Sequence, residues 1–219
     1  MITISAFADE IGPDLDLQMD TCEANGVKHI DVRGIDGTNV SAMTLEQVAG
    51  YKARLDARGF GVPCIGSPIG KIRMDEDVAE HQELLKHCCD IAHAFETKLI
   101  RMFSFYPSEG AAIAEEREAV LERLAAMVAT AEAAGCVLLH ENEKAIYGAA
   151  PAGVKDIFAT IQSEAFQGIF DPANFVEDGI RPFEQGWQAR LPDLTDYFHV
   201  QSQSLDQACF LPAGQGHGH

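Results

Sequence analysis

EAAGCVLLHENE, residues 132–143, decides the fold. A helix-type ending runs into Gly135, and the apolar run from Cys136 to Leu139 follows at once. Glycine suits the left-handed residue that ends a helix. A short apolar run bounded by polar residues reads as a buried strand. The same order recurs in EANGVKHIDVRG (23–34), DARGFGVPCIGS (56–67) and EAFQGIFDPANF (164–175). A fifth copy, HAFETKLIRMFS (93–104), has Glu96 where the others have glycine. The punctuating residues Gly26, Gly59, Glu96, Gly135 and Gly168 lie 33, 37, 39 and 33 residues apart, the size of one helix, one strand and their loops.

Between the apolar runs the pattern is helical. Residues 77–95 place Val78, Leu84, Leu85, Cys88, Ile91, Ala92 and Phe95 on one side. Residues 112–134 do the same with Ile113, Val120, Leu121, Leu124, Met127, Val128 and Ala131. A helix over 44–58 opens on Thr44-Leu-Glu-Gln, a capping-box pattern. Strands are expected near 2–6, 28–33, 61–66, 98–103, 136–141, 167–171 and 197–201. Strands alternating with helices make an α/β chain with a parallel sheet. Seven strands at this spacing fit a (β/α)8 TIM barrel better than an open doubly wound sheet, and no GxGxxG follows the first strand. A barrel needs eight strands, so the eighth βα unit is expected to be missing. No linker divides the chain, and residues 1–219 read as a single domain. The Gly/His-rich tail AGQGHGH reads as loose, with His217 and His219 free to chelate metal only adventitiously.

Composition narrows the function. The 219 residues are 47% hydrophobic and 23% charged, the balance of a globular protein. A net charge of −18 repels phosphate backbones and anionic membranes, so no nucleic-acid and no membrane partner is expected. No run reaches the length of a membrane span, and the acidic N-terminus does not read as a signal peptide. The six cysteines form no CxxC pair and sit mostly in apolar runs, which reads as buried free thiols in a reducing cytoplasm.

In such barrels chemistry sits where strands end. Glu141, Asp171 and His199 end the strands near 136–141, 167–171 and 197–201, 30 and 28 residues apart. Alternation places Val137, Leu139, Glu141 and Glu143 on one face, and Tyr197, His199 and Gln201 on another. Two carboxylates and an imidazole are suitable ligands for a divalent metal ion: manganese, magnesium, cobalt or zinc. Glu10, Arg33, Lys71 and Arg101 add polar groups at other strand ends. The three cations could hold a carboxylate, a phosphate or sugar hydroxyls, or each could pair with a neighbouring carboxylate. No P-loop and no GxSxG elbow is present. His81, His87 and His93 repeat every six residues on one helix and read as solvated or helix-face histidines.

SAFADEI (5–11), HIDVRG (29–34), GSPIGKI (66–72), IRMFSFY (100–106), LLHENEK (138–144), FDPANF (170–175) and YFHV (197–200) resemble the sugar phosphate isomerase/epimerase family, within the xylose isomerase-like TIM-barrel superfamily. The resemblance spans essentially the whole chain. It implies metal ligands Glu141, Asp171 and His199, with a fourth ligand, a Glu, on an eighth strand that this chain lacks. Asn174 stands where many relatives have a histidine, and Val200-Gln201-Ser202 where close relatives have Val-Lys-Asp. Arg33-Gly34 and Ser67-Pro68 stand where the zinc endonucleases of the superfamily have histidines, which with the acidic charge argues against DNA repair.

The resemblance therefore implies a metal-dependent isomerase or epimerase acting on a small sugar, sugar phosphate or hydroxy-keto acid through an enediolate. Glu141 would be both ligand and proton carrier, and Glu10, Arg33, Lys71, Arg101, Glu143 and Asn174 would contact the substrate. A dehydratase acting on an inosose-like keto-polyol and a non-catalytic sugar-binding barrel are the alternatives. Relatives often form dimers or tetramers, so a homo-oligomer is compatible with the resemblance.

Overall fold

The computed structural model describes residues 2–188, 191–194, 197–203, 210–211 and 214–216. Near the N-terminus the parallel pairing is sparse: Ala6 bridges Ile30, His29 bridges Gly61 and Val32 bridges Ile65. A small antiparallel hairpin follows, β1 (Gly34–Ile35) and β2 (Thr38–Asn39). Its turn is Asp36-Gly37, both at positive φ (50° and 76°), the pattern of a tight hairpin turn. A parallel five-stranded sheet then runs in chain order: β3 (Cys64–Ile69), β4 (Leu99–Met102), β5 (Val137–Glu141), β6 (Phe166–Phe170) and β7 (Tyr197–Phe198). Strictly sequential parallel order is the topology of a barrel rather than of a doubly wound sheet. Seven parallel segments are thus present, and among the described residues no eighth strand pairs between residues 2–6 and β7. The chain instead makes an antiparallel pair, β8 (Ser202–Gln203) with β9 (Phe210–Leu211). Among the described residues the fold is an α/β barrel without its eighth strand.

The helices are α1 (Leu15–Ala24), α2 (Leu45–Ala57), α3 (Val78–Ala94), α4 (Arg117–Ala133), α5 (Pro151–Thr160) and α6 (Pro172–Glu177). The capping box of α2 forms as expected: Gln47 N–H donates to Thr44 Oγ1 at 3.2 Å, and Thr44 N–H donates to Gln47 Oε1 at 2.8 Å. α1, α2, α3 and α4 each run out to a left-handed residue: Gly26, Gly59, Glu96 and Gly135, with φ of 74°, 70°, 61° and 73°.

Three expectations need correction. Gly168 is no helix stop: it lies inside β6, and α5 ends eight residues earlier at Thr160. Residues 2–6 and 28–33 are bridged segments rather than continuous strands. Ile2 and Ile4 are 93% and 66% exposed, so nothing packs over the first of them. Pro63 has no N–H to donate and falls between the two pairings of the second with its neighbour. The helix over 112–134 begins with a 3₁₀ turn at Ile113–Glu116, and Glu116 spends its carboxylate on Ser108 rather than on a helix cap.

Alternation along the strands builds two layers. Even-numbered Ile100, Leu138 and Phe166 point outward into the large core shared with Leu55, Leu85, Ile91, Leu124 and Met127 of the helices. Odd-numbered Leu99, Val137, Leu139, Ile169 and Tyr197 point inward around Cys64. Residues that follow the inward set toward the C-terminal ends of the strands must therefore look into the barrel mouth. His217 and His219 of the tail lie outside the described residues, as does Cys209. The other five cysteines are buried and free.

Candidate metal centre

Glu141 is the last residue of β5 and continues the inward face of Leu139. Asp171 follows β6 and caps α6: its Oδ1 accepts from the N–H groups of Ala173 (2.8 Å) and Asn174 (3.1 Å). Its other oxygen, Oδ2, accepts from Gln201 Nε2. Asn142 clamps the two strand ends together, accepting from Asp171 N–H and donating to Asp171 O, both at 2.9 Å. His199 follows β7, and its N–H is held by Phe170 O at 3.1 Å.

The three side chains meet. His199 Nδ1 is 2.8 Å from Glu141 Oε1 and 3.6 Å from Asp171 Oδ2, and one ligand atom from each residue lies within 4.8 Å of the others. Among the described residues this is the one group of three such side chains close enough to share a cation. The second oxygen of Glu141, Oε2, is buried and accepts no hydrogen bond. Two carboxylates and an imidazole, with a buried oxygen left over, fit a divalent cation.

The charges are arranged around burial. Burial alone pushes the Glu141 carboxyl up. The charge and hydrogen bond of His199, then Arg101 and Lys71, overcome it and hold Glu141 down at about 2. Burial likewise pushes His199 down, but Glu141 and Asp171 outweigh it and raise His199 to about 9. Asp171 is raised, chiefly by burial. Arg101 Nη1 sits 3.3 Å from Glu141 Oε2. Its guanidinium is wedged between the rings of Phe7 and Phe103, 5.0 Å from each centroid, and donates to Gly66 O at 3.2 Å.

Glu141, His199 and Arg101 line an open cavity of about 980 Å³, and Asp171 is fully buried beside Glu141 and His199. Glu10, Arg33, Lys71, Arg101, Glu143 and Asn174 all line the cavity. Asn174 donates to Glu141 Oε1 at 3.2 Å. Arg33 is paired with Asp9 (2.7 Å) and Glu10 (3.2 Å), and Lys71 with Glu143 (2.7 Å). All three cations of the mouth therefore face carboxylates of this chain, so the mouth offers little free positive charge.

The structure adds residues that sequence reasoning passed over. Asp31 is 4% exposed and lines the cavity; its Oδ2 accepts from Tyr197 OH at 2.6 Å and from Ser5 Oγ at 2.9 Å. A signal existed, since Asp31 shares its strand face with Arg33. Nothing in the sequence marked Asn142 as a clamp. Of the two readings for His81, the helix-face one holds and the solvated one does not: it is 7% exposed on α3, and its Nε2 accepts from Gly70 N–H at 2.7 Å. His87 and His93 instead donate to carbonyls, those of Met43 (2.9 Å) and Ala134 (2.8 Å).

A family model described as xylose isomerase-like TIM barrel matches residues 19–219. Among solved structures, the chain is similar to the probable 3-DHS dehydratase AsbF of petrobactin synthesis from Bacillus anthracis. The identity is 15% over 98% of this chain and 85% of that one, with a TM-score of 0.77. A xylose isomerase-like TIM barrel protein from Mycobacterium smegmatis, in complex with magnesium, is 14% identical over 98% of this chain and 82% of that one, with a TM-score of 0.74. A D-tagatose 3-epimerase-like protein is 14% identical over 98% and 80%, with a TM-score of 0.73. No curated protein matches.

Proposed function

The chain belongs to the xylose isomerase-like TIM barrel family, and on that premise we propose a divalent-metal-dependent isomerase or epimerase. Its substrate would be a small sugar or hydroxy-keto acid, converted by moving a proton next to a carbonyl. The observation that carries this reading is the convergence of Glu141, Asp171 and His199, of which Glu141 and His199 line the cavity. Those three residues would hold the cation. A bound divalent cation supplies Lewis-acid polarisation of a substrate carbonyl and its neighbouring hydroxyl.

The protein's own residues account for the rest. Removing a proton next to a carbonyl needs a base already ionised and aimed into a site with little water. Glu141 meets that description: it is 3% exposed and held ionised by His199, Arg101 and Lys71. The Arg101 guanidinium lies 3.3 Å from Glu141 Oε2 and sets positive charge beside it. Asn174 and His199 fix the other oxygen, so Glu141 holds one orientation. The paired cations of the mouth leave hydrogen-bonding edges without surplus charge, which suits hydroxyl groups. The free buried thiols support a reducing, cytoplasmic setting.

The test is metal content by elemental analysis, followed by NMR of ketoses and hydroxypyruvate incubated with the protein in deuterated water. The expected result is near-stoichiometric metal and deuterium entering the carbon next to the carbonyl. Metal with loss of water from the substrate would reassign the chemistry to a dehydratase. Sugar binding with neither metal nor exchange would overturn the enzyme reading in favour of a binding protein.

A further inference from the structure

Of the strands that carry the metal centre, β7 is held least firmly by its neighbours. β5 and β6 pair at four positions, but β7 pairs with β6 at only two, Tyr197 with Ile169 and Phe198 with Phe170. Among the described residues no strand pairs with its other edge. Its outward side chains are thinly packed: Phe198 is 42% exposed and Val200, just beyond it, 78%. The inward side is held by a bond to a distant part of the chain. Tyr197 OH donates to Asp31 Oδ2 at 2.6 Å, and Ser5 Oγ donates to the same oxygen at 2.9 Å. Asp31 is a firm anchor for this bond. Its neighbours Ile30 and Val32 are buried in the large core and bridge Ala6 and Ile65, and its own N–H donates to Ala6 O at 2.9 Å. The second oxygen, Oδ1, is buried and accepts no hydrogen bond among the described residues. An unpaired buried oxygen costs stability, which weighs against a purely structural role for this carboxylate.

We propose that Asp31 is a positioning residue for His199, acting through Tyr197. Tyr197 and His199 stand two residues apart on the inward face of the chain. Their rings meet edge to face with centroids 6.2 Å apart, and Phe7 meets the imidazole in the same manner at 5.1 Å. The imidazole so held presents Nδ1 to Glu141 Oε1 at 2.8 Å and to Asp171 Oδ2 at 3.6 Å. The Asp31–Tyr197 bond sets how far Tyr197 leans across the barrel. It thereby sets where β7 ends and where the imidazole stands against the two carboxylates. The inference rests on the reading of Glu141, Asp171 and His199 as a metal centre. Groups that orient a ligand from behind typically matter to a metal site nearly as much as the ligands do.

The experiment compares wild type with Asp31→Val, which removes the acceptor, Tyr197→Phe, which removes the donor and keeps the ring, and Asp31→Asn, which keeps an oxygen for both hydroxyls. Each is titrated with Co²⁺ alone, followed by the visible absorption of the bound ion. Asp31→Val and Tyr197→Phe should bind Co²⁺ roughly 10–100-fold more weakly than wild type, with an altered spectrum. Asp31→Asn should restore most of the affinity. The double variant should be no weaker than the worse single one, since both cut the same bond. The second readout is the NMR signal of the His199 ring in metal-free protein, identified by its loss in His199→Gln. It should move in Asp31→Val and Tyr197→Phe and return in Asp31→Asn. Tyr197→Phe deletes a single oxygen and keeps the test open if Asp31→Val fails to fold. Unchanged affinity and an unchanged ring signal in both variants would overturn the proposal. So would losses that track melting temperature and that Asp31→Asn does not rescue, the pattern of a merely structural bond. A wild type that takes up no Co²⁺ would instead overturn the metal reading, and the ring signal alone then decides whether Asp31 positions His199.

Discussion

The inside of the barrel and the layer outside it both bury ionisable groups, and β5 shows the two treatments on neighbouring residues. Glu141 points inward, 3% exposed, and is held ionised at about 2. His140 points outward, 1% exposed, and burial holds it neutral at about 4. Inside, the neighbours are His199, Arg101 and Asn174. Outside, they are Phe158 and Phe166, with ring centroids 6.2 and 6.4 Å from the imidazole. His199 and His81 repeat the contrast: the inward one is raised to about 9, the one packed under Gly70 is lowered by burial. Burial alone therefore does not decide charge; it disfavours charge everywhere, and only partners inside the barrel offset it. A carboxylate kept ionised is what metal binding and proton transfer need, and a bound cation would displace the His199 proton.

The largest test of this contrast removes the inward charge. Glu141→Gln should cut bound metal from about one per chain to background, and should lower proton exchange by roughly 10²–10⁴-fold. Retained metal on elemental analysis would mean that Glu141 is not a ligand. Asp171→Asn is a milder probe of the same centre. The amide oxygen can still cap α6 while Oδ2 is replaced by nitrogen, so the variant should fold normally and bind metal weakly. A large drop in melting temperature would show that the capping role dominates.

Arg101→Met should be next in size. It leaves a buried carboxylate without its fixed counter-charge, which costs about 3 kcal/mol in comparable buried pairs. Urea denaturation measures this, and a loss below about 1 kcal/mol would mean that His199 alone suffices.

In the outer layer the effect should appear as pH dependence. His81 has a folded pKa below the ordinary value of 6.5, so the unfolded chain binds its proton first. Its contribution is fully present above pH 6.5 and is lost as pH falls toward the folded value, with a slope of at most about 1.4 kcal/mol per pH unit. His81→Gln keeps an acceptor for Gly70 N–H and should flatten that part of the stability–pH curve. An unchanged slope would remove His81 from the account.

His140→Leu should have the smallest effect. Neither ring nitrogen has a hydrogen-bond partner, so an apolar replacement breaks none, and stability should stay within about 1 kcal/mol of wild type. A loss above about 2 kcal/mol would reveal a partner for the imidazole and blur the contrast between the layers.

Much of this was legible in the sequence. The repeat of helix end, left-handed residue and apolar run determined the α/β order and the sequential parallel sheet, because helix caps and strand alternation are local properties. It also misled once, at Gly168, where a glycine beside the Phe158 ring in β6 imitates a helix stop. The spacing of Glu141, Asp171 and His199 was enough to bring three ligand types to neighbouring strand ends, since each βα unit repeats the same geometry. The tertiary structure alone decided what those residues meet. Tyr197 reaches Asp31 across 166 positions, Lys71 reaches Glu143 across 72, and Arg101 packs between Phe7 and Phe103. No periodicity encodes such pairs. They form because the curl of the sheet turns one face of every strand toward a common centre, where charges distant in the chain must neutralise one another or pay the cost of burial.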